Sequence, residues 1–171
     1  MSDTFGTLRD QRFAYISEKE ILDLRSIQDG DLLRVLDYWN DARGMRIAPS
    51  VREFRLEKLP SDLIPCTAVV DFIGSRPDFR YRFFGSYMVE VAGEELTGKS
   101  YYADNVTSFG FVNAEIFPLM IEERGPLYTR TRWVSVKGLK FTTTTLRLPL
   151  SEDGETVTGG VSLDRFQRGH D

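Results

Sequence analysis

The spacing of apolar residues predicts one strong amphipathic helix near the start of the chain. Over residues 29–43 the apolar side chains recur at helical intervals, so they fall on one face of the helix. Asp29 and Asp31 stand where the positive end of the helix dipole favours carboxylates, and Gly44 is placed to end the helix. The apolar stripe consists of Leu32, Leu33, Leu36 and Trp39.

Two β-strands joined by a turn are predicted next. Residues 67–73 form a mostly apolar run, as a buried strand does, and residues 79–84 alternate aromatic side chains with arginines. Gly74 and Pro77 lie between the two segments, which therefore predict an antiparallel hairpin. Residues 45–65 contain three prolines and predict an extended strap instead of a regular element.

The second half of the chain predicts helices and then strands. A short helix is expected over residues 86–92 and a longer one over residues 109–124, although Pro118 interrupts the second. Alternating or threonine-rich segments then predict three consecutive strands, at residues 127–136, 139–150 and 156–166.

The order of these elements predicts one α+β domain. Five antiparallel strands, with helices grouped between the second and the third, favour a single sheet with helices on one face and an N-terminal flanking helix. The predicted divisions are residues 1–28 as an arm with a helical turn at Ser17, 29–65 as flanking helix and strap, 66–166 as core and 167–171 as tail.

Composition narrows the classes of function. The net charge is −4 and no consecutive Lys or Arg residues occur, which disfavours nucleic acid as a partner. The single cysteine, Cys66, excludes an internal disulfide. The sequence has no signal-like start and no apolar run long enough to cross a bilayer, so we expect a cytoplasmic protein that does not bind membranes.

The residues of reactive sites are scarce. His170 is the only histidine and lies in the tail, which disfavours a histidine triad, a multi-histidine metal site and axially ligated haem. Cys66 lies at the start of a predicted strand, which disfavours flavin photochemistry and favours a small buried hydrophobe. Residues 93–100 match a phosphate-loop pattern, but they do not join a buried strand to a long helix. No cofactor or metal is predicted, although an unidentified small molecule remains compatible.

An ordered set of motifs resembles a family of sensory domains. Residues 79–99 contain a strand with Tyr-Arg, a glycine, a short helix and a Leu-Thr-Gly turn. Residues 38–44 contain Tyr-Trp followed by Arg-Gly, and residues 49–52 read Pro-x-x-Arg. Across residues 29–166 this set resembles a bacterial subfamily of PAS domains common in alphaproteobacteria. The order of two strands, short helices, one connecting helix and three strands is also the PAS layout.

The resemblance implies a stand-alone sensory or regulatory module in signal transduction, without catalysis. It implies small-ligand binding between the sheet and the connecting helix, or protein–protein interaction, and PAS domains often form dimers. We therefore expect a signalling protein as partner, with a homodimer as one form of assembly, and Leu32, Leu36 and Trp39 as the partner surface. The ligand-pocket candidates are Tyr102, Phe111, Ile116, Met120, Tyr128, Trp133, Thr144 and Leu146. For each of these eight, filling the core is the alternative role.

A small cone-shaped α+β enzyme of the ketosteroid isomerase type is the alternative function. Such an enzyme needs a carboxylate base that faces a tyrosine in a deep cavity. Asp104 or Glu115, near Tyr102, would have to supply that base. The predicted order of helices and strands disfavours this alternative, whereas an unpaired buried carboxylate would favour it.

Overall fold

The computed structural model describes residues 11–74, 78–101 and 110–170. The helices in these segments are α1 (Gly30–Arg43), α2 (Ser86–Ala92) and α3 (Gly110–Glu123). The strands are β1 (Phe13–Leu22), β2 (Thr67–Ile73), β3 (Asp78–Phe84), β4 (Ser100–Tyr101), β5 (Leu127–Ser135), β6 (Lys140–Leu150) and β7 (Gly159–Arg168). Among the described helices, none combines the length and apolar character needed to cross a bilayer.

All these strands form one antiparallel sheet in the order β1-β5-β6-β7-β2-β3-β4. The prediction of an α+β chain with an antiparallel sheet is confirmed. The predicted number of five strands is wrong, because the described part of the chain contains seven. The two unpredicted strands, β1 and β4, lie at the two edges of the sheet.

Strand β1 lies where an irregular arm and a helical turn were predicted. Two shifts of register interrupt its pairing with β5, so its side chains do not alternate regularly between buried and exposed. Ser17 belongs to this strand, and its hydroxyl donates to the Arg132 carbonyl oxygen over 3.1 Å instead of capping a helix. The charged residues on β1 are typical of an edge strand. Local sequence does not reveal such a strand, because its pairing partner is over 100 residues away.

Helix α1 packs on one face of the sheet. Asp29 is its N-cap, because the Asp29 carboxylate accepts hydrogen bonds from the backbone N–H groups of Asp31 and Leu32 at 2.9 and 3.1 Å. Gly44 follows the last turn with a φ of 58°, a value that glycine adopts easily. The buried side of α1 contacts apolar residues of β6 and β7, and the strap covers the rest of this face.

Helices α2 and α3 pack on the opposite face of the sheet. The core there is aromatic: the rings of Phe79 and Phe117 meet edge to face at 5.2 Å, and Trp133 stacks on Phe141 at 4.7 Å. A Cβ placed on Gly160 would lie 2.9 Å from the Met120 methyl carbon, so α3 sits close to β7. The sheet is therefore covered on both faces, with α1 on one side and α2 and α3 on the other.

Candidate functional site

A group of buried polar side chains lies on the α3 face of the sheet. Each of these residues is at most 5% exposed, although the surrounding core is apolar. We name the group the Arg147 cluster; its members are Asn113, Thr129, Thr145, Arg147 and Asp164. Burial of polar and charged groups is costly unless they are paired, so the partners of each member decide what the group does.

The register of three central strands brings the cluster together. Thr129 of β5 lies opposite Thr145 of β6, which in turn lies opposite Asp164 of β7. Alternate residues of a strand point to the same face, so Arg147 joins Thr145 on that face. Asn113 reaches the group from the first half of α3.

The guanidinium of Arg147 is held by neutral acceptors. Its Nε and Nη2 donate to the Asn113 side-chain oxygen at 3.2 and 3.1 Å, and its Nη1 donates to the Thr129 hydroxyl oxygen. Asp164 acts on Arg147 through space, and no salt bridge of Arg147 occurs among the described residues. A buried cation with only neutral direct partners is an unusual arrangement, because buried charges are normally paired.

Burial shifts the pKa values of both charged members. It lowers the pKa of Arg147 to about 10, which still leaves the side chain charged at neutral pH. Burial also raises the pKa of Asp164 to about 6, although the hydrogen bond from the Thr145 hydroxyl at 2.7 Å and the charge of Arg147 oppose the rise. Asp164 therefore loses its negative charge in mildly acidic solution.

Two further polar groups border the cluster. Ser162 lies opposite Arg147 in the β6–β7 register, and its buried hydroxyl has no hydrogen-bond partner among the described residues. Tyr81 of β3 is 3% exposed and lies in the electrostatic environment of Arg147 and Asp164. Burial raises the pKa of Tyr81, so its hydroxyl stays protonated. The polar side chains here therefore supply more hydrogen-bond donors than carboxylate acceptors.

A cavity of about 210 Å³ lies beside the cluster, between α3 and the neighbouring strands β1 and β5. We name it the side cavity; it is lined by Lys19, Glu20, Ile21, Val112, Ile116, Thr129 and Thr131. Thr129 belongs both to the cavity wall and to the Arg147 cluster. Lys19 of the cavity wall pairs with Glu115 of α3, whereas Glu20 lies opposite Arg130 in the β1–β5 register and pairs with it on the other face of the sheet.

Three larger depressions lie elsewhere on the described parts of the molecule. One of about 460 Å³ borders α2 and the β5–β6 turn, where Glu90 and Lys137 line it. Another of about 430 Å³ lies between the strap and β3, where Arg55 and Phe83 line it. A third of about 290 Å³ lies between α1 and the strap. None of the three includes a member of the Arg147 cluster, so volume alone does not select the candidate site.

Three of the predicted ligand-pocket residues lie on the α3 face. Ile116 lines the side cavity between α3 and the sheet. Met120 is fully buried beside Phe117 in the aromatic core. Trp133 is also fully buried, and its indole N–H donates to the Thr143 hydroxyl at 2.9 Å. Both Met120 and Trp133 therefore fill the core on this face.

Three other predicted pocket residues lie on the wrong face for a pocket under α3. Tyr128 and Leu146 pack in the core beneath α1, and Thr144 precedes Leu146 by two positions on the same strand, so it points to the same side. Alternation separates the two sides of a strand but does not say which helix covers each side. Tyr102 lies outside the described residues, and so does the side chain of Phe111.

The predicted partner surface is covered by the chain itself. Leu32 and Trp39 are 0% and 3% exposed, and Leu36 is partly buried against the same core. The indole N–H of Trp39 donates to the Pro149 carbonyl oxygen at 2.8 Å. These three residues hold α1 on the sheet, so the expectation that they form a free surface is wrong for the single chain.

Sequence reasoning missed the cluster itself. Arg147 and Asp164 each follow a leucine in a segment that alternates apolar and polar residues, a pattern typical of a strand with one face in solvent. Both sheet faces are covered here, so the polar positions are buried as well. The one available signal was a charged residue beside a proline-containing apolar run, Leu-Arg-Leu-Pro-Leu at residues 146–150.

The structure also places three of the reactive residues considered in the sequence, Cys66, His170 and Glu115. Cys66 is 2% exposed, and burial raises the pKa of its thiol to about 12, which agrees with its interpretation as a buried hydrophobe. His170 contacts the Trp133 carbonyl oxygen at 3.0 Å. Glu115 forms its salt bridge at the surface, and Asp104 lies outside the described residues. Over the described segments, no group of three or more His, Cys, Asp or Glu residues is arranged to hold a metal.

Two comparisons with known proteins found no relative of this chain. A scan against protein-family models found no match, and a search of curated proteins found no similar sequence. The Arg147 cluster and the side cavity are therefore the features from which a function is inferred.

Proposed function

We propose that this chain is a PAS-type sensory module in signal transduction that binds a small molecule between α3 and the sheet. The order β2-β3, α2, α3, β5-β6-β7 agrees with the PAS layout expected from the sequence motifs. The observation that carries the proposal is the buried guanidinium of Arg147, whose direct partners are neutral. The proposal includes a cytoplasmic location and a signalling protein as partner, with a homodimer as one form of assembly.

The cost of burying Arg147 supports a role in recognition. A buried ion costs several kcal/mol, and replacing buried ion pairs by well-packed apolar residues is often neutral or stabilising. Stability alone therefore gives little reason for a charged residue at this position in β6. A ligand that bonds to the cluster gains the strength that hydrogen bonds to charged donors have in a dry interior.

The position of the cluster also suggests how binding is transmitted. Asp164 points towards α3, whereas its neighbour Arg165 points to the opposite face and forms salt bridges with Asp29, Asp31 and Asp62 at 2.7, 2.9 and 3.1 Å. Asp29 and Asp31 belong to the start of α1, and Asp62 belongs to the strap. A shift of β7 at Asp164 therefore acts on the contacts that hold α1.

Native mass spectrometry of the full chain, purified without dialysis, tests the proposal. We expect a fraction of the protein to carry a small molecule, and we expect the Arg147→Met variant to lose it. Arg34→Met is the matched control, because Arg34 is 78% exposed on α1 and distant from the cluster. Circular dichroism checks that both variants fold. If the unmodified chain carries no small molecule and none of a metabolite panel raises its melting temperature, the proposal is rejected.

The buried carboxyl of Asp164 favours one alternative, an isomerase with this residue as general base. Its pKa of about 6 suits proton transfer near neutral pH, and Tyr81 lies in its electrostatic environment. The side cavity of about 210 Å³ is too small for a steroid-sized substrate. The test is the isomerisation of a small β,γ-unsaturated ketone, which the unmodified chain would have to accelerate and Asp164→Asn would have to abolish.

A further inference from the structure

We propose that the side cavity binds a small carboxylate, whose anionic group accepts a hydrogen bond from the Thr129 hydroxyl. The same hydroxyl oxygen accepts a hydrogen bond from Arg147. This inference rests on the proposed ligand-binding function and adds the chemical class of the ligand. In this proposal Thr129 contacts the ligand carboxylate directly, and Arg147 supplies the positive charge.

The hydrogen-bond direction at Thr129 supports this role. Its oxygen accepts from Arg147 Nη1, so the hydroxyl proton is available to another acceptor, and no bond donated by Thr129 occurs among the described residues. A hydroxyl that accepts from a cation becomes a stronger donor, because successive hydrogen bonds polarise one another. Thr129 lines the side cavity, so the residue that carries this donor borders the space that a ligand would fill.

The charge distribution favours an anion over a neutral ligand. Arg147 donates a hydrogen bond to the Thr129 hydroxyl, whereas Asp164 is held by Thr145 and lies two strands away from Thr129 in the sheet order. The charged side chains around the cavity are paired, because Lys19 pairs with Glu115 on the α3 face and Glu20 pairs with Arg130 on the other face of the sheet. The field at the cavity wall is therefore dominated by the guanidinium, which carries its charge at neutral pH.

The remaining walls set the size and polarity of the ligand. Ile21, Val112 and Ile116 provide apolar contacts for a hydrocarbon body. The volume of about 210 Å³ corresponds to about seven water molecules at ~30 Å³ each. A short-chain or single-ring carboxylic acid fits this space, and a long-chain fatty acid does not.

Isothermal titration of the full chain at pH 7.5 with sodium butyrate and with butyramide tests the charge requirement. The two probes have nearly the same shape, but butyramide is neutral. We expect butyrate to bind and butyramide to bind at least about tenfold more weakly, because the bond to a charged acceptor is the stronger one. Benzoate is a second probe with a ring in place of the chain, and it should also bind.

Variants of two threonines on the same strand test the residue assignment. Thr129→Val should weaken butyrate binding at least about tenfold, since it removes the donor, and Thr129→Ser should restore it. Thr131→Val is the matched control, because Thr131 lines the same cavity but forms no hydrogen bond with Arg147 among the described residues, and its effect should stay within about threefold. If Thr129→Val does not fold, two other comparisons still test the proposal. One compares butyrate binding by Thr129→Ser and by Thr131→Val, and the other compares butyrate with butyramide on the unmodified chain.

The outcomes separate this inference from the proposed function. Equal binding of butyrate and butyramide overturns the carboxylate assignment, and so does a co-purified neutral molecule in the native mass spectrum; ligand binding as a function survives both. A larger effect of Thr131→Val than of Thr129→Val also overturns the assignment. If neither butyrate nor benzoate binds, the inference fails, and the native mass spectrum alone then decides the proposed function.

Discussion

Asp164 links the interior of the protein to the pH of its surroundings. The acid has an ordinary pKa of 3.8, which burial raises to about 6 in the folded chain. The folded state therefore holds a proton between about pH 4 and 6 that the unfolded state has already released. Consequently, this group lowers the free energy of unfolding as the pH rises through that window. Its charged and titratable neighbours, Arg147 of β6 and Tyr81 of β3, do not titrate there.

The variant Asp164→Asn should remove this dependence. The free energy of unfolding of the variant minus that of the unmodified chain should rise by up to about 3 kcal/mol from pH 4 to pH 7. A difference already present at pH 4 does not affect this rise. Urea unfolding at several pH values measures the difference. Asp153→Asn is the control, because backbone N–H groups of Thr156 and Glu155 lower the pKa of Asp153, so its own linkage lies below this window. A flat difference for Asp164→Asn would show that the acid titrates normally.

Prediction at the residue scale succeeded where one residue's chemistry was sufficient. The buried state of Cys66 followed from its place at the start of an apolar strand. Arg147 and Asp164 were not predicted, because their burial depends on which helix covers each face of the sheet. That information is not contained in the residues next to them.

Among the elements, α1 and β7 are joined by one side chain. Arg165 is only 27% exposed and bridges three carboxylates, including the N-cap Asp29. Burial alone would lower its pKa, but the hydrogen bonds to Asp29 and Asp62 outweigh burial and raise it. The salt bridges therefore attach the start of the helix to the final strand, whereas most surface pairs contribute little.

Arg165→Met should lower the free energy of unfolding by about 2 kcal/mol, since it removes several hydrogen bonds between charged groups. Arg34→Met is the matched control, because Arg34 binds Asp31 from an exposed position, and it should cost less than about 0.5 kcal/mol. Urea unfolding at pH 7 followed by circular dichroism measures both. Equal losses for the two variants would mean that the Arg165 salt bridges contribute no more than a surface pair.

Helices and central strands were predicted more successfully than edge strands. The start of α1 followed from Asp29, and the limits of β2 and α2 agree with the apolar pattern and the flanking glycines. Strand β1 was missed because an edge strand carries charged residues and obtains its geometry from a distant partner. Its two register shifts further obscure the period of two that marks a strand.

At the scale of the whole molecule, the sheet depends on cover from both sides. The face beneath α1 consists of large aliphatic residues of β6 and β7, including Leu148, Val161 and Leu163, all 0% exposed. Removal of α1 and the strap would place this surface in water. The order of elements was predictable from the sequence, but this division of the helices between two faces was not, because packing partners are chosen in three dimensions.

A shortened chain of residues 67–170, which lacks β1 as well as α1 and the strap, should therefore not fold as a stable monomer. We expect it to form oligomers or aggregates, because exposed apolar patches of this kind are rare on soluble monomers. Size-exclusion chromatography with light scattering, compared with the full chain, measures this. A monomer with a sharp urea transition would show that the sheet and α3 suffice, and that α1 is an accessory layer.

The two tryptophans give the molecule a natural pair of optical probes. Trp39 lies in the layer beneath α1 with its indole bonded to a backbone carbonyl, and Trp133 lies in the opposite layer stacked on Phe141. Their emission therefore reports separately on the two sides of the sheet. With Trp39→Phe or Trp133→Phe, fluorescence can follow whether a ligand near α3 disturbs only its own layer or changes the packing of α1 as well.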